Sequence, residues 1–369
     1  MLPHSIGTGK IMTTIFLILI AIVAVLVYLG FIYRAPNMSQ FDLPEHDTII
    51  ADHEVSDQHE EVLATLTDYH SQRKTTDITV GRRRFEELFA RDIDVETHPV
   101  EVDSMKAEWV LAEGADPNKR LLYIHGGAFM VGSPRTHRYI TSELSRRTGT
   151  SVLAIDYRKQ PEFKTIHCHE DARKAYRWIL ENGPGGVGPV ESLFVAGDSA
   201  GGNLTLAVIA WARDNNLKPA DGAIALAPLT DATLSSPTWR ENLETDHFLG
   251  PGLGRVLKIP TPVRHIMSRL SGGLPGNHPH LSPLFGSLHD LPPTLIQVSR
   301  HEMLYGDAKR YANKANHEGS AVILQVWPKL VHVFQGFGNL PETNHAFNLM
   351  AEFVAARLRT SEKIAAASS

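Results

Sequence analysis

The chain has a single cysteine, Cys168, among 369 residues. One thiol excludes an internal disulfide framework and a multi-cysteine zinc site, and it leaves the compartment open. Basic charge is in deficit, with 36 Lys and Arg against 41 Asp and Glu. A net charge of −5 and a pI near 6.4 argue against a nucleic-acid partner, which calls for a strongly basic face. Internal repeats are lacking, and low complexity is confined to the closing "AAASS". Charge is missing altogether from 11–33, "IMTTIFLILIAIVAVLVYLGFIY", which lies between Lys10 and Arg34. At about 1.5 Å per residue a helix of this length crosses the roughly 30 Å hydrocarbon core. A cleaved signal peptide is the rival reading. It would have a shorter apolar core and small residues at its end, where Tyr28, Phe31, Ile32 and Tyr33 stand. The expectation is therefore a single-pass anchor over 1–34. Lys10 and the α-amino group lean toward an inside N-terminus, with the remainder periplasmic or lumenal.

What is present is ordinary globular composition, 43% hydrophobic and 21% charged. Residues 35–97 read as a polar linker followed by a helical cap segment. Leu63, Leu66, Tyr69, Phe85, Leu88 and Phe89 fall at helical spacing there. "RRR" at 82–84 reads as a solvated helix face. From 98 to 369 short apolar runs alternate with helical stretches. Strands are expected at 99–102, 107–112, 121–124, 152–156, 193–196, 223–227, 294–298 and 321–326. Helices are expected at 138–147, 170–181, 200–213, 307–318 and 341–359. This alternation predicts an α/β fold, a mostly parallel eight-stranded sheet with helices on both faces. Residues 230–283, rich in Gly, Pro and His, break the pattern and read as an insertion that contributes to a cap. In such sheets ligands sit beyond the carboxyl ends of the strands.

Those strand ends carry the chemistry. "LFVAGDSAGGNL" is a strand, then Gly197-Asp198-Ser199-Ala200-Gly201, then a helix. This is G-x-S-x-G in the setting that lifts a serine hydroxyl above a sheet edge, with no room for side chains at 197 or 201. A serine nucleophile needs a base, and the base needs an orienting acid. In chain order Ser, acid, His, the residues after the last two strands supply them: Glu302 in "VSRHEML" and His332 in "WPKLVHVF". Asp307 is the alternative acid; Glu302 is preferred because Asp307 falls at the start of a helix, where an acid is favoured for other reasons. "YIHGGAFMVGS" places Gly126 and Gly127 after a strand, where their amides, with that of Ala200, would bind an oxyanion. His125 is then a scaffold residue. His167, Cys168 and His169 make no metal site, since adjacent helical residues face apart and no third ligand is evident.

Taken together, "YIHGGAFMVGSPRTHR", "IDYRKQPE", "VAGDSAGGNL", "LPPTLIQVSRHEML" and "VWPKLVHVFQGF" resemble the hormone-sensitive-lipase-like, bacterial family IV esterases, on the side of the arylacetamide deacetylase-like and monoterpene lactone hydrolase-like enzymes. The resemblance runs from about 82 to 358. It implies an α/β-hydrolase core with a helical cap drawn from the N-terminus and no cofactor or metal. The implied activity is hydrolysis of carboxylic esters of short to medium acyl chains. By position it makes Ser199 the nucleophile, Glu302 the acid, His332 the base, and Gly126, Gly127 and Ala200 the oxyanion hole. Departures are Glu302 where Asp is usual, Ala128 as the third residue of the glycine run, and "FKTIHCH" after Pro161-Glu162. The expected partners are a small-molecule ester, a membrane through the N-terminal helix and, as an allowed assembly, a homodimer; nucleic acid is not among them. A lactone or arylacetamide hydrolase with the same triad, and a non-catalytic ligand-binding relative such as the gibberellin receptors, are the rival functions.

Overall fold

Residues 6–43, 47–49, 55–72 and 76–368 are described by the computed structural model. An apolar helix, α1 (Ile6–Ile32), comes first, followed by a short strand β1 (Asp47–Ile49) and two amphipathic helices, α2 (Asp57–Ser71) and α3 (Ile78–Phe89). The α/β unit then begins with β2 (Glu96–Val102), β3 (Met105–Leu111), β4 (Asp116–Ile124), α4 (Arg138–Thr148), β5 (Thr150–Ile155) and α5 (Thr165–Glu181). A small hairpin, β6 (Asn182–Gly183) and β7 (Gly186–Val187), leads into β8 (Ser192–Asp198), α6 (Ala200–Asp214) and β9 (Gly222–Leu226). Three helices follow within the insertion, α7 (Thr238–Glu241), α8 (Gly250–Leu257) and α9 (Thr261–Gly272). The chain closes with β10 (Thr294–Ser299), α10 (Tyr305–His317), β11 (Val322–Trp327) and α11 (Pro341–Ser368).

The main sheet has nine strands in the order β1-β11-β10-β9-β8-β4-β5-β3-β2. Pairing is parallel except where β3 meets β2 and β5. All eight expected strands are present. The ninth, β1, is three residues long and pairs with β11 from within what reads as a linker. Its brevity leaves no periodic signal to find. β4 also starts earlier than expected, because its polar opening "DPNK" lies at the accessible end of the sheet while Leu121–Ile124 fills the core.

Side chains alternate across the sheet, as the two-residue strand period requires. Leu122, Ile124 and Val195 pack with Tyr176, Leu204, Val208 and Tyr311 from α5, α6 and α10. Leu121, Tyr123 and Phe194 pack with Ile140, Leu144, Phe347 and Met350 from α4 and α11 on the other face. With both faces covered, the central strands are apolar throughout, which is why they read as continuous runs. The register sets Ile124 beside Gly197 and Ser299 beside Trp327. The loops after β4, β8, β10 and β11 therefore emerge together at one edge.

The helices α2 and α3 pack where the sequence leaves them needing a surface. Val62 and Leu66 join Trp327, Leu330, Val331, Phe334 and Phe337, with Leu88, Phe89 and Phe248 alongside. Helices α2 and α3 thus rest on the loop after β11. Of the arginine run, only Arg83 keeps to the solvated face, beside Glu87. Arg82 instead donates to the carbonyls of Met130 and Gln160, at 2.9 and 2.8 Å, and pairs with Glu162 at 2.7 Å. Arg84 donates to the Tyr69 carbonyl and lies over the Tyr69 ring.

Candidate active site

Ser199 sits between β8 and α6 with φ 53° and ψ −114°, the strained strand-to-helix turn that G-x-S-x-G calls for. The turn is possible only because Gly197 and Gly201 lack side chains. A Cβ on Gly197 would lie 2.5 Å from the Ile124 carbonyl oxygen, and one on Gly201 would lie 1.9 Å from it. The Ser199 Oγ donates to His332 Nε2 at 2.9 Å. His332 Nδ1 in turn donates to Glu302 Oε2 at 2.5 Å. The other Glu302 oxygen, Oε1, accepts the Ser299 amide at 2.9 Å, which fixes the carboxylate at both ends. Burial would lower the His332 pKa, but the Glu302 carboxylate outweighs it and holds the imidazole above its ordinary value. An imidazole in this state is a ready proton acceptor whose cation has its counter-charge in place.

Asp307 lies elsewhere. It stands in the first turn of α10, yet its carboxylate caps nothing in its own helix. It accepts the amides of Thr230 and Asp231, each at 3.0 Å, and the Trp239 indole N–H at 3.0 Å. Its task in the fold is to fasten the start of the insertion to α10.

The glycine pair after β4 requires a correction. The Gly126 amide does not point toward Ser199; it donates to Asp198 Oδ1 at 3.0 Å. Gly126 is glycine because Asp198 is pressed against it, at 2.0 Å from where a Cβ would stand. Gly126 therefore leaves the expected oxyanion set. The chain then turns with positive φ at Gly127 (115°), Ala128 (54°) and Phe129 (60°). Among the described residues, the amides of Gly127, Ala128 and Ala200 have no protein acceptor. That of Ala200 opens α6, where the helix leaves N–H groups unpaired and its dipole favours negative charge.

Several residues that matter here have no sequence signature of their own. Buried Asp198 accepts from Tyr123 Oη at 2.7 Å and the Gly126 amide, and pairs with His137 Nε2 at 3.3 Å. Burial raises its pKa, but His137 and Tyr123 more than offset this and keep it below the usual value. One carboxylate thus ties the glycine loop to the Ser199 turn. His125 stacks on Tyr157 with ring centroids 4.3 Å apart, and Tyr157 Oη donates to the His125 carbonyl at 2.9 Å. Burial drives the His125 pKa well below normal, so it is a neutral scaffold group. Asp246 accepts the amides of Leu249 and Met303, both at 2.8 Å, and so joins the insertion to the residue after Glu302. That arrangement seats the Phe248 ring 5.9 Å from the His332 ring, as part of a roof. Cys168 is buried and donates to the Arg158 carbonyl at 3.1 Å, and burial pushes its thiol up to about 12.

Residues 121–336 match a family model described as an alpha/beta hydrolase fold. An acetyl-hydrolase of Streptomyces hygroscopicus is 35% identical over 69% of this chain and 81% of its own length. An esterase of Acinetobacter venetianus is 30% identical over 72% of this chain and 84% of its own. Among solved structures, an esterase from the bacterial hormone-sensitive lipase family superposes with a TM-score of 0.72. It is 30% identical and covers 83% of this chain and 99% of its own.

Proposed function

The chain belongs to the hormone-sensitive-lipase-like esterases of the α/β-hydrolase family and is a carboxylic-ester hydrolase, and from that premise we propose that Ser199, His332 and Glu302 carry the reaction through an acyl-enzyme. The observation that carries this reading is the continuous hydrogen-bond chain from Ser199 Oγ through His332 to Glu302. Ser199 Oγ attacks the acyl carbon while its proton passes to His332 Nε2, and Glu302 stabilises the imidazolium that forms. Negative charge gathers on the former carbonyl oxygen. The amides of Gly127, Ala128 and Ala200 receive it, each fixed donor contributing about 3–4 kcal/mol to the transition state. His332 then protonates the departing alcohol, and it later deprotonates the water that releases the acid.

The substrates are esters of short to medium acyl chains; lactones and arylacetamides would use the same nucleophile. A panel of p-nitrophenyl esters, lactones and anilides ranks these by kcat/KM. Replacing Ser199 with Ala should abolish p-nitrophenyl butyrate hydrolysis with the circular-dichroism spectrum unchanged. Retained turnover would overturn the nucleophile assignment.

The reading of α1 is a single-pass membrane anchor over 1–34. Residues 35–97 act as linker and cap, and 98–369 as the catalytic domain. Gly9–Ile32 is apolar, and none of its residues is buried. A cleaved signal sequence would pass the same length test. The anchor is favoured because the end of α1 is built into the folded protein. Asn277 Nδ2 donates to the carbonyls of Ile32 and Arg34, at 3.3 and 3.2 Å, and a Cβ on Gly30 would stand 3.1 Å from Pro262 Cγ.

A further inference from the structure

Helix α9 is built inside out. Its buried residues are Arg264, His265 and Gly272, two of them polar, while Met267 is 50% and Leu270 68% exposed. Val263, Ile266, Met267 and Leu270 fall at i, i+3, i+4 and i+7, one continuous apolar stripe. A surface helix of a water-soluble domain turns such a stripe to the core; here it faces outward. Nearby, Gly273 at the end of α9 abuts Ile166 and Lys164, next to the exposed ring of Phe163.

Two further observations say what covers this stripe. The first is continuity with α1: the two helices pack together, and on α1 the half-buried positions Leu26, Leu29 and Gly30 form one face, which Tyr33 just beyond its end continues. The stripe on α9 is thereby an extension of the lipid-compatible surface of α1. The second is charge. From His247 to His289 the chain has no Asp or Glu, although it holds 41 in total. Arg255 and Lys258 are exposed just before α9, and Lys164 is exposed at its far end. An apolar stripe flanked by cations and free of acids suits an interfacial helix lying among anionic headgroups.

We propose that α9 is a second membrane contact, which lies in the bilayer interface beside α1 and turns the insertion toward the lipid. This rests on the reading of α1 as an anchor. The insertion that presents α9 outward also presents Phe248 inward over His332. The roof of the site therefore meets the membrane surface, and esters dissolved in the bilayer become the substrates nearest to the entrance. The occupant of the stripe is lipid, not a second copy of the chain.

The test uses the full chain reconstituted in vesicles of phosphatidylcholine and phosphatidylglycerol, with a nitroxide on one introduced cysteine at a time. Native Cys168 is buried and out of reach of the label. Labels at Ile20→Cys and Leu270→Cys should both collide more with oxygen than with a water-soluble nickel chelate. Met267→Cys serves if the Leu270 variant misfolds. A label at Val187→Cys, which is 89% exposed on the β6–β7 hairpin, should show the reverse. Nickel accessibility at 270 and 267 with oxygen preference kept at 20 would overturn the proposal and leave the anchor standing. Nickel accessibility at 20 as well would overturn both. Dipolar broadening at 270 would mean that a second copy covers the stripe, and would also overturn it.

Discussion

Replacing Glu302 with Gln changes one oxygen to an amide nitrogen at the most constrained point of the site. The Ser299 amide needs an acceptor and takes one from Oε1 at 2.9 Å. The remaining oxygen of the Glu302 carboxylate, Oε2, accepts the His332 Nδ1–H at 2.5 Å.

 In Glu302→Gln the carbonyl oxygen goes to Ser299, so the NH2 group must face His332. His332 then has to offer Nδ1 as an acceptor, which places its own proton on Nε2, against Ser199 Oγ. That tautomer cannot accept the serine proton. A wrong tautomer in a triad of this kind costs about 10⁴ in kcat, equivalent to about 5 kcal/mol of transition-state stabilisation. The pH profile should change too. His332 acts only when neutral, so kcat/KM climbs as pH rises through its pKa. Glu302 holds that pKa up against the effect of burial, and its loss should carry the acid limb to lower pH. Steady-state kinetics on p-nitrophenyl butyrate from pH 5 to 9 read both quantities (about two units either side of neutrality). The control is Asp307→Asn, which alters the Thr230, Asp231 and Trp239 contacts and leaves His332 alone. If Asp307→Asn moved the limb and Glu302→Gln did not, the reasoning would be refuted.

Asp198→Ala leaves the Tyr123 hydroxyl and the Gly126 amide buried without their acceptor, at about 1–3 kcal/mol each. Urea unfolding should show that loss, and Asp198→Asn, which keeps one oxygen, should show much less of it. Gly126→Ala drives a methyl to 2.0 Å from Asp198 Oδ2 and displaces the loop that bears Gly127 and Ala128. Its kcat should fall about 10²–10³-fold with KM little changed. Gly185→Ala, where a Cβ meets nothing within 4 Å, should be silent in the same assay. Phe248→Ala removes the ring above His332 and should shift preference toward bulkier acyl groups, by about tenfold in relative kcat/KM across a p-nitrophenyl ester series.

Much of this was legible in the sequence because it rests on local rules. Strands buried on both faces must be apolar runs, and a serine on a strand-to-helix turn needs glycines where a Cβ would run into neighbouring backbone, at 2.5 Å for 197 and 1.9 Å for 201. The choice of Glu302 over Asp307 was legible in part, from the position of Asp307 at a helix start. The direction of a backbone N–H is another matter. Gly126 and Gly127 look alike in "HGG", and only the approach of Asp198, 72 residues away in sequence, shows which amide is taken. Arg82 gave no sign of its long-range partners for the same reason, since Met130, Gln160 and Glu162 lie on other elements. Asp246 sits in a stretch without periodicity, so nothing local marks it as the residue that joins the insertion to the loop of Glu302.

The central claim, that Ser199 forms the covalent intermediate, is tested most directly by labelling with diethyl p-nitrophenyl phosphate followed by peptide mass spectrometry. The account predicts one diethylphosphoryl group per chain, on the peptide that contains Ser199, with esterase activity lost in proportion and no label on Ser199→Ala. A label on another residue, or full esterase activity in a chain labelled at Ser199, would contradict it.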